Sequence, residues 1–150
     1  MWSEKTLQSY LVDLSTAKEK GDNLMTLKYA RMENLIPPLN ENPIIDMIMR
    51  MQLEAQRKMH ARFPNILGQG RPLEVDDPEM TSFKTYLRGE LETYSDRTLK
   101  LLLSDIQQIK NRGENWSQQL YTTLVRSIGY ESLNELEHVL NCNSDFASKL

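Results

Sequence analysis

Apolar residues recur along this chain at spacings of three and four, and nowhere alternate in twos over the length of a strand. The first stripe, Leu7, Tyr10, Leu11, Leu14 and Ala17, predicts a helix from about Ser3 to Lys20 with this face turned inward. Gly21-Asp22-Asn23 ends it, because glycine accepts a left-handed backbone at little cost. A second helix follows from Leu24 to Asn34, with Leu24, Leu27, Ala30 and Met32 inward, and Pro37-Pro38 stops it. Asn42-Pro43 opens a longer helix that runs to about Phe63 on Ile44, Ile45, Ile48, Met51, Ala55 and Met59, with Pro64 as its end. Residues 64–79 read as a loop, and so long a connection in a small domain is often functional. Periodicity resumes from Thr81 to Tyr94 on Phe83, Leu87 and Leu91; Ser95 then caps a new helix carrying Leu99, Leu102, Leu103, Ile106 and Ile109. After Gly113, the residues Trp116, Leu120, Leu124 and Ile128 predict another inward stripe, closed by Gly129. Ser132 caps a last short helix, and 142–150 reads as a frayed tail. The expected fold is all-α, a compact bundle of about six or seven helices forming a single domain over residues 1–150.

Two stretches of this pattern match each other without a gap. Glu4-Lys5-Thr6-Leu7 aligns with Asp96-Arg97-Thr98-Leu99, Leu11 with Leu103, Asp13 with Asp105, and Leu14 with Ile106. The match continues through Lys18 and Lys110, Gly21 and Gly113, Asn23 and Asn115, to Tyr29 and Tyr121. The chain therefore reads as two related helix–turn–helix units, about 3–34 and 95–128, which favours packing about a pseudo-two-fold axis. The second unit is preceded by the Thr81–Tyr94 helix; the first starts without a counterpart, so an exposed apolar face is expected near the N-terminus.

Composition narrows the function classes. The net charge of −3, with both signs interspersed, gives no basic stripe for a nucleic acid. No apolar run approaches the roughly 20 residues of a membrane span, so no membrane partner is expected, and no signal peptide is visible. The single cysteine, Cys142, excludes an internal disulfide and suits a cytoplasmic location. No metal site and no cofactor is expected: His60 and His138 are the only histidines, and Gly68-Gln69-Gly70-Arg71 lacks the strand and the Lys-Ser or Lys-Thr of a phosphate loop.

Tyr29-Ala30-Arg31-Met32, Gly68-Gln69-Gly70-Arg71-Pro72 and the stretch Thr81-Ser82-Phe83-Lys84-Thr85-Tyr86-Leu87-Arg88-Gly89-Glu90-Leu91, with Thr93-Tyr94-Ser95, are the most distinctive segments. Together they resemble an uncharacterised bacterial family known only as a domain of unknown function. The resemblance covers nearly the whole chain. It implies an N-terminal segment that this chain lacks, in keeping with the missing helix of the first unit, and it implies no particular activity.

The one constellation with chemical promise is Arg71, Arg88, Glu90 and Tyr94, joined by Arg50. Arg88 falls within the apolar stripe of its helix, and Gly89 beside it costs about 1 kcal/mol in a helix interior, which points to close approach of a backbone or a ligand. A guanidinium fork suits a carboxylate or phosphate. One reading is therefore an enzyme, or a remnant of one, acting on a small anionic ligand under the Gly68–Pro72 loop. The other makes Arg88 half of an interhelical ion pair, with Gly89 permitting a tight crossing. On that reading the chain is a binding or protein-interaction module. Met47, Met49, Met51 and Met59 crowd one helix; they read first as an ordinary core helix, and as the alternative they suit an adaptable surface that a second copy or a partner helix would cover.

Overall fold

The computed structural model describes residues 2–147, which are helical with no strand among them. Eight helices occupy this span: α1 (Glu4–Glu19), α2 (Leu24–Met32), α3 (Ile44–Arg62), α4 (Pro64–Gly68), α5 (Phe83–Leu91), α6 (Asp96–Asn111), α7 (Trp116–Ser127) and α8 (Leu133–Ala147). The helix beyond the expected six or seven is α4, which falls in the stretch read as loop. Pro64 does not merely end α3; it opens α4, where a missing N–H is no loss. Glu137 of α8 then accepts from the Asn65 and Ile66 N–H groups, at 2.9 Å each. The tail reading is also corrected: α8 continues past Asn141 to Ala147, and residues 148–150 lie outside the described residues.

Helix starts follow one recipe used three times. Ser3, Ser82 and Ser95 cap α1, α5 and α6, each accepting from the N–H of the threonine three residues on. In each case an aspartate from elsewhere accepts from the serine N–H and the threonine hydroxyl. Asp76 does so for Ser82 and Thr85, at 2.7 and 3.1 Å. Asp105 of α6 does so for Ser3 and Thr6, at 2.8 and 2.7 Å. Asp13 of α1 does so for Ser95 and Thr98, at 3.0 and 2.7 Å. A carboxylate at a helix N-terminus satisfies free N–H groups and opposes the positive end of the helix dipole.

The last two clamps are reciprocal: α1 holds the start of α6, and α6 holds the start of α1. The two helices therefore run antiparallel across a two-fold relation. The turns after them agree, with Gly21 and Gly113 at φ of 77° and 73° and with Asn23 and Asn115 capping α2 and α7.

The main core lies between α3, α5 and α6 and contains Ile45, Ile48, Leu53, Leu87, Leu91, Leu99 and Ile106. A second cluster joins the end of α3 and α4 to α7 and α8 through Met59, Phe63, Leu67, Val125 and Leu133. Of two inward stripes expected from periodicity, Tyr10, Ala17 and Trp116 do turn inward, but the rest point outward. On α1 the buried side is Thr6, Ser9 and Ala17, while Leu7, Leu11 and Leu14 face solvent. On α7 it is Ser117 and Val125, while Leu120, Leu124 and Ile128 face solvent. Hydroxyls and the aspartate clamps, not leucines, bring α1 onto α6; Ser9 and Thr98 share a hydrogen bond at 2.7 Å.

Candidate functional site

α5 carries most of the candidate residues, and its geometry sorts them. Phe83, Leu87 and Leu91 form the stripe that enters the core. Tyr86 and Glu90, four residues apart, lie along one flank, with Tyr94 beyond the helix end continuing the row. Arg88 and Glu92 lie along the other. Gly89 sits between them at the crossing with α2. A Cβ there would stand 3.3 Å from the Lys28 carbonyl oxygen and 2.7 Å from the Met32 Cγ. The close approach expected at this glycine is thus made by the α2 backbone and the Met32 side chain.

The first flank holds an interior network. The Lys28 ammonium, on a residue of which 3% is exposed, pairs with the Glu90 carboxylate. Tyr94 donates its hydroxyl to Glu90 Oε1 at 2.7 Å. The Tyr86 ring lies against both cations, 3.6 Å from Lys28 Nζ and 4.7 Å from the Arg71 guanidinium carbon. Arg71 in turn donates from Nη1 to the Thr81 carbonyl at 3.0 Å and to the Thr81 hydroxyl at 2.6 Å, tying the 68–72 segment to the start of α5. Beyond Tyr94 the network becomes aromatic. Trp2, Tyr10 and Tyr94 meet edge to face with centroids 5.2 to 5.7 Å apart.

The electrostatics of this network favour fixed protonation states. Burial alone pulls the Lys28 ammonium down, but the hydrogen bond and charge of Glu90, with Tyr86, outweigh it and leave its pKa above the ordinary lysine value. Burial and then the neighbouring Glu90 charge push the Tyr94 phenol well above its ordinary value. A lysine acting as nucleophile or base needs the opposite shift. The arrangement as it stands is a charged pair with a neutral phenol.

The second flank is a surface ion network. Arg88 Nη2 donates to Asp46 Oδ1 of α3 at 2.6 Å, and its Nη1 is 4.0 Å from Glu92. Arg31 of α2 donates to the buried Glu92 at 2.6 Å and to Asn34 at 2.9 Å. Arg71 and Arg88 therefore lie on different flanks of α5, each with partners inside the chain. Glu90 and Tyr94 are joined directly, and Arg71 reaches them through Tyr86 and Lys28. Arg50 is exposed on α3 and touches none of the others. Lys28 and Glu92 were missed by sequence reasoning, since a lysine on an amphipathic helix and a glutamate at a helix end both read as solvated.

No group of His, Cys, Asp and Glu suited to a metal ion occurs among the described residues. His60 is partly buried, its Nε2 has no hydrogen-bond partner, and burial pushes its pKa below the ordinary histidine value. As the pH falls below about 6.5, the unfolded chain takes up this proton before the folded one does, so stability falls. His60→Leu is expected to show a smaller drop in melting temperature between pH 7 and pH 5 than the unaltered chain; an equal drop would show that His60 does not contribute.

The chain belongs to the family described as "Protein of unknown function (DUF4125)", whose model matches residues 1–138. No curated protein and no solved structure matches it. No helix among the described residues is long and apolar enough to cross a membrane.

Proposed function

We propose that this chain is a protein-interaction module that offers apolar helix faces to a partner. The observation that carries this reading is the row of Leu7, Leu11 and Leu14 on α1, three leucines at helical spacing and each more than a third exposed. Single exposed leucines are ordinary on a protein surface, whereas a contiguous row marks a contact site. The polar residues support the same reading. Arg71, Arg88 and Glu90 already have partners within the chain, and capture of a small anion would require those partners to be displaced. The one cysteine is an exposed thiol, in keeping with a reducing, cytoplasmic setting.

The test compares tagged full chain with its Leu11→Glu variant as baits in extracts of the source cells. Loss of a specific protein by the variant, with its melting temperature unchanged, is the expected result. Identical captured sets, combined with a saturable thermal shift by a phosphate or carboxylate metabolite that Arg88→Ala abolishes, would favour an anion-binding enzyme instead.

A further inference from the structure

The two-fold relation between the helix pairs specifies what covers the apolar faces. Positions 92 apart in sequence are equivalent, as in Thr6 and Thr98 or Asp13 and Asp105, so each exposed residue can be compared with a counterpart whose neighbour is known. Leu7 is 48% exposed, while its counterpart Leu99 is 0% exposed, packed in the core that α3 supplies. Leu14 is exposed; its counterpart Ile106 is buried in that core. Tyr29 is exposed, whereas Tyr121 accepts a hydrogen bond from Gln56 of α3 at 3.1 Å. Lys18 corresponds to Lys110, which pairs with Glu54 of α3 at 3.4 Å. Every difference in this set is a contact that α3 makes with α6 or α7 and that no helix among the described residues makes with α1 or α2.

The other exposed face obeys the same rule with a different helix. Leu120 is 62% exposed, and its counterpart Lys28 is 3% exposed beneath α5. Leu124 is exposed, while its counterpart Met32 is buried against Gly89 of α5.

We infer that the α1–α2 face is a docking site for an amphipathic helix of the α3 kind, supplied by a partner protein. The helix has an Ile/Leu/Met stripe against Leu7 and Leu14, a carboxylate at Lys18 and a side-chain amide at Tyr29. The α7 face takes a short helix of the α5 kind from the same partner, with a small residue where it crosses α7. Leu120 and Leu124 replace a lysine and a methionine there, so this second helix needs no counterpart to Glu90. The inference rests on the interaction reading above and names the class of partner.

The probe is a fluorescein-labelled synthetic peptide of residues 43–63, the α3 sequence itself, titrated with the full chain and followed by anisotropy. Saturable binding is expected, weakened at least about tenfold by Leu7→Glu or Leu14→Glu and unchanged by Leu120→Glu. These positions are exposed, so the variants should melt within about 2 °C of the unaltered chain. No binding, or binding indifferent to Leu7→Glu and Leu14→Glu, overturns the inference. If sedimentation shows a dimer that Leu14→Glu dissociates, the occupant is a second copy and the partner-helix assignment falls. A cellular partner lost by Leu11→Glu without any binding of the peptide would leave the interaction reading standing and remove only the helix class.

Discussion

Lys28→Met is expected to destabilise the protein by about 3 kcal/mol, the lower end of the range for breaking a buried ion pair. The substitution keeps most of the side-chain volume but leaves the partly buried Glu90 carboxylate without its ammonium. Tyr94 still donates to that carboxylate and limits the loss. For a chain of this length, about 3 kcal/mol corresponds to a fall in melting temperature of about 6–12 °C. Adding Glu90→Gln should recover much of it, because the amide can still accept from Tyr94 and carries no charge to bury. A double variant no more stable than Lys28→Met alone would show that packing, not charge, is the cause. The same network sets the alkaline limit. The folded chain holds the Lys28 and Tyr94 protons beyond the ordinary values of 10.5 and 10.0 at which the unfolded chain releases them. Tyr10, raised by its burial and the Glu90 charge, adds to the effect. Above about pH 10 the unfolded chain thus binds fewer protons than the folded one, and stability falls as pH rises. In Lys28→Met the Lys28 share of that slope should vanish, which urea titrations at pH 9 and 10.5 would measure.

Much of this network was legible in the sequence in pieces. Glu90 and Tyr94 stand four residues apart beside an apolar stripe, and Gly89 marks a crossing. Lys28 was not legible, because nothing in LMTLKYARM says that its polar flank will meet another helix. Several helix boundaries were legible because capping is local: Ser95 at a start and the glycines at 21 and 113 just past two ends stand where the structure uses them. Asp13 and Asp105, which complete two of the three clamps, were visible only as matching positions in two repeats. The leucine stripes of α1 and α7 show the limit of periodicity. It finds a helix with an apolar face, but whether anything covers that face depends on which other helices are present. The short α4 escaped because five residues beginning with proline and ending with glycine carry no repeat to read.

Asp105→Ala is expected to cost about 2–3 kcal/mol, and its effect should be concentrated on α1. Asp105 is buried, and its loss leaves the Ser3 N–H without its acceptor and the fully buried Thr6 hydroxyl with only the Ser3 hydroxyl, each lost bond costing about 1 kcal/mol or more. Helix α1 has no leucine seam to fall back on, since Leu7, Leu11 and Leu14 face away from α6. Weakening the clamp therefore favours local release of α1 over global unfolding. Trp2 reports it directly. Its ring leaves Tyr94 when the N-terminal segment and α1 lift, so its emission should shift to the red at urea concentrations below those of the main transition. Asp13→Ala, which removes the less deeply buried of the two carboxylates, should cost less and should loosen the start of α6 instead. A single transition in Asp105→Ala, with fluorescence and circular dichroism coincident, would show that α1 unfolds with the core. If instead α1 lifts alone, the leucine face of the docking site is mounted on the least anchored helix. Asp105→Ala should then weaken peptide capture although Asp105 lies on the opposite side of α1 from Leu7 and Leu14.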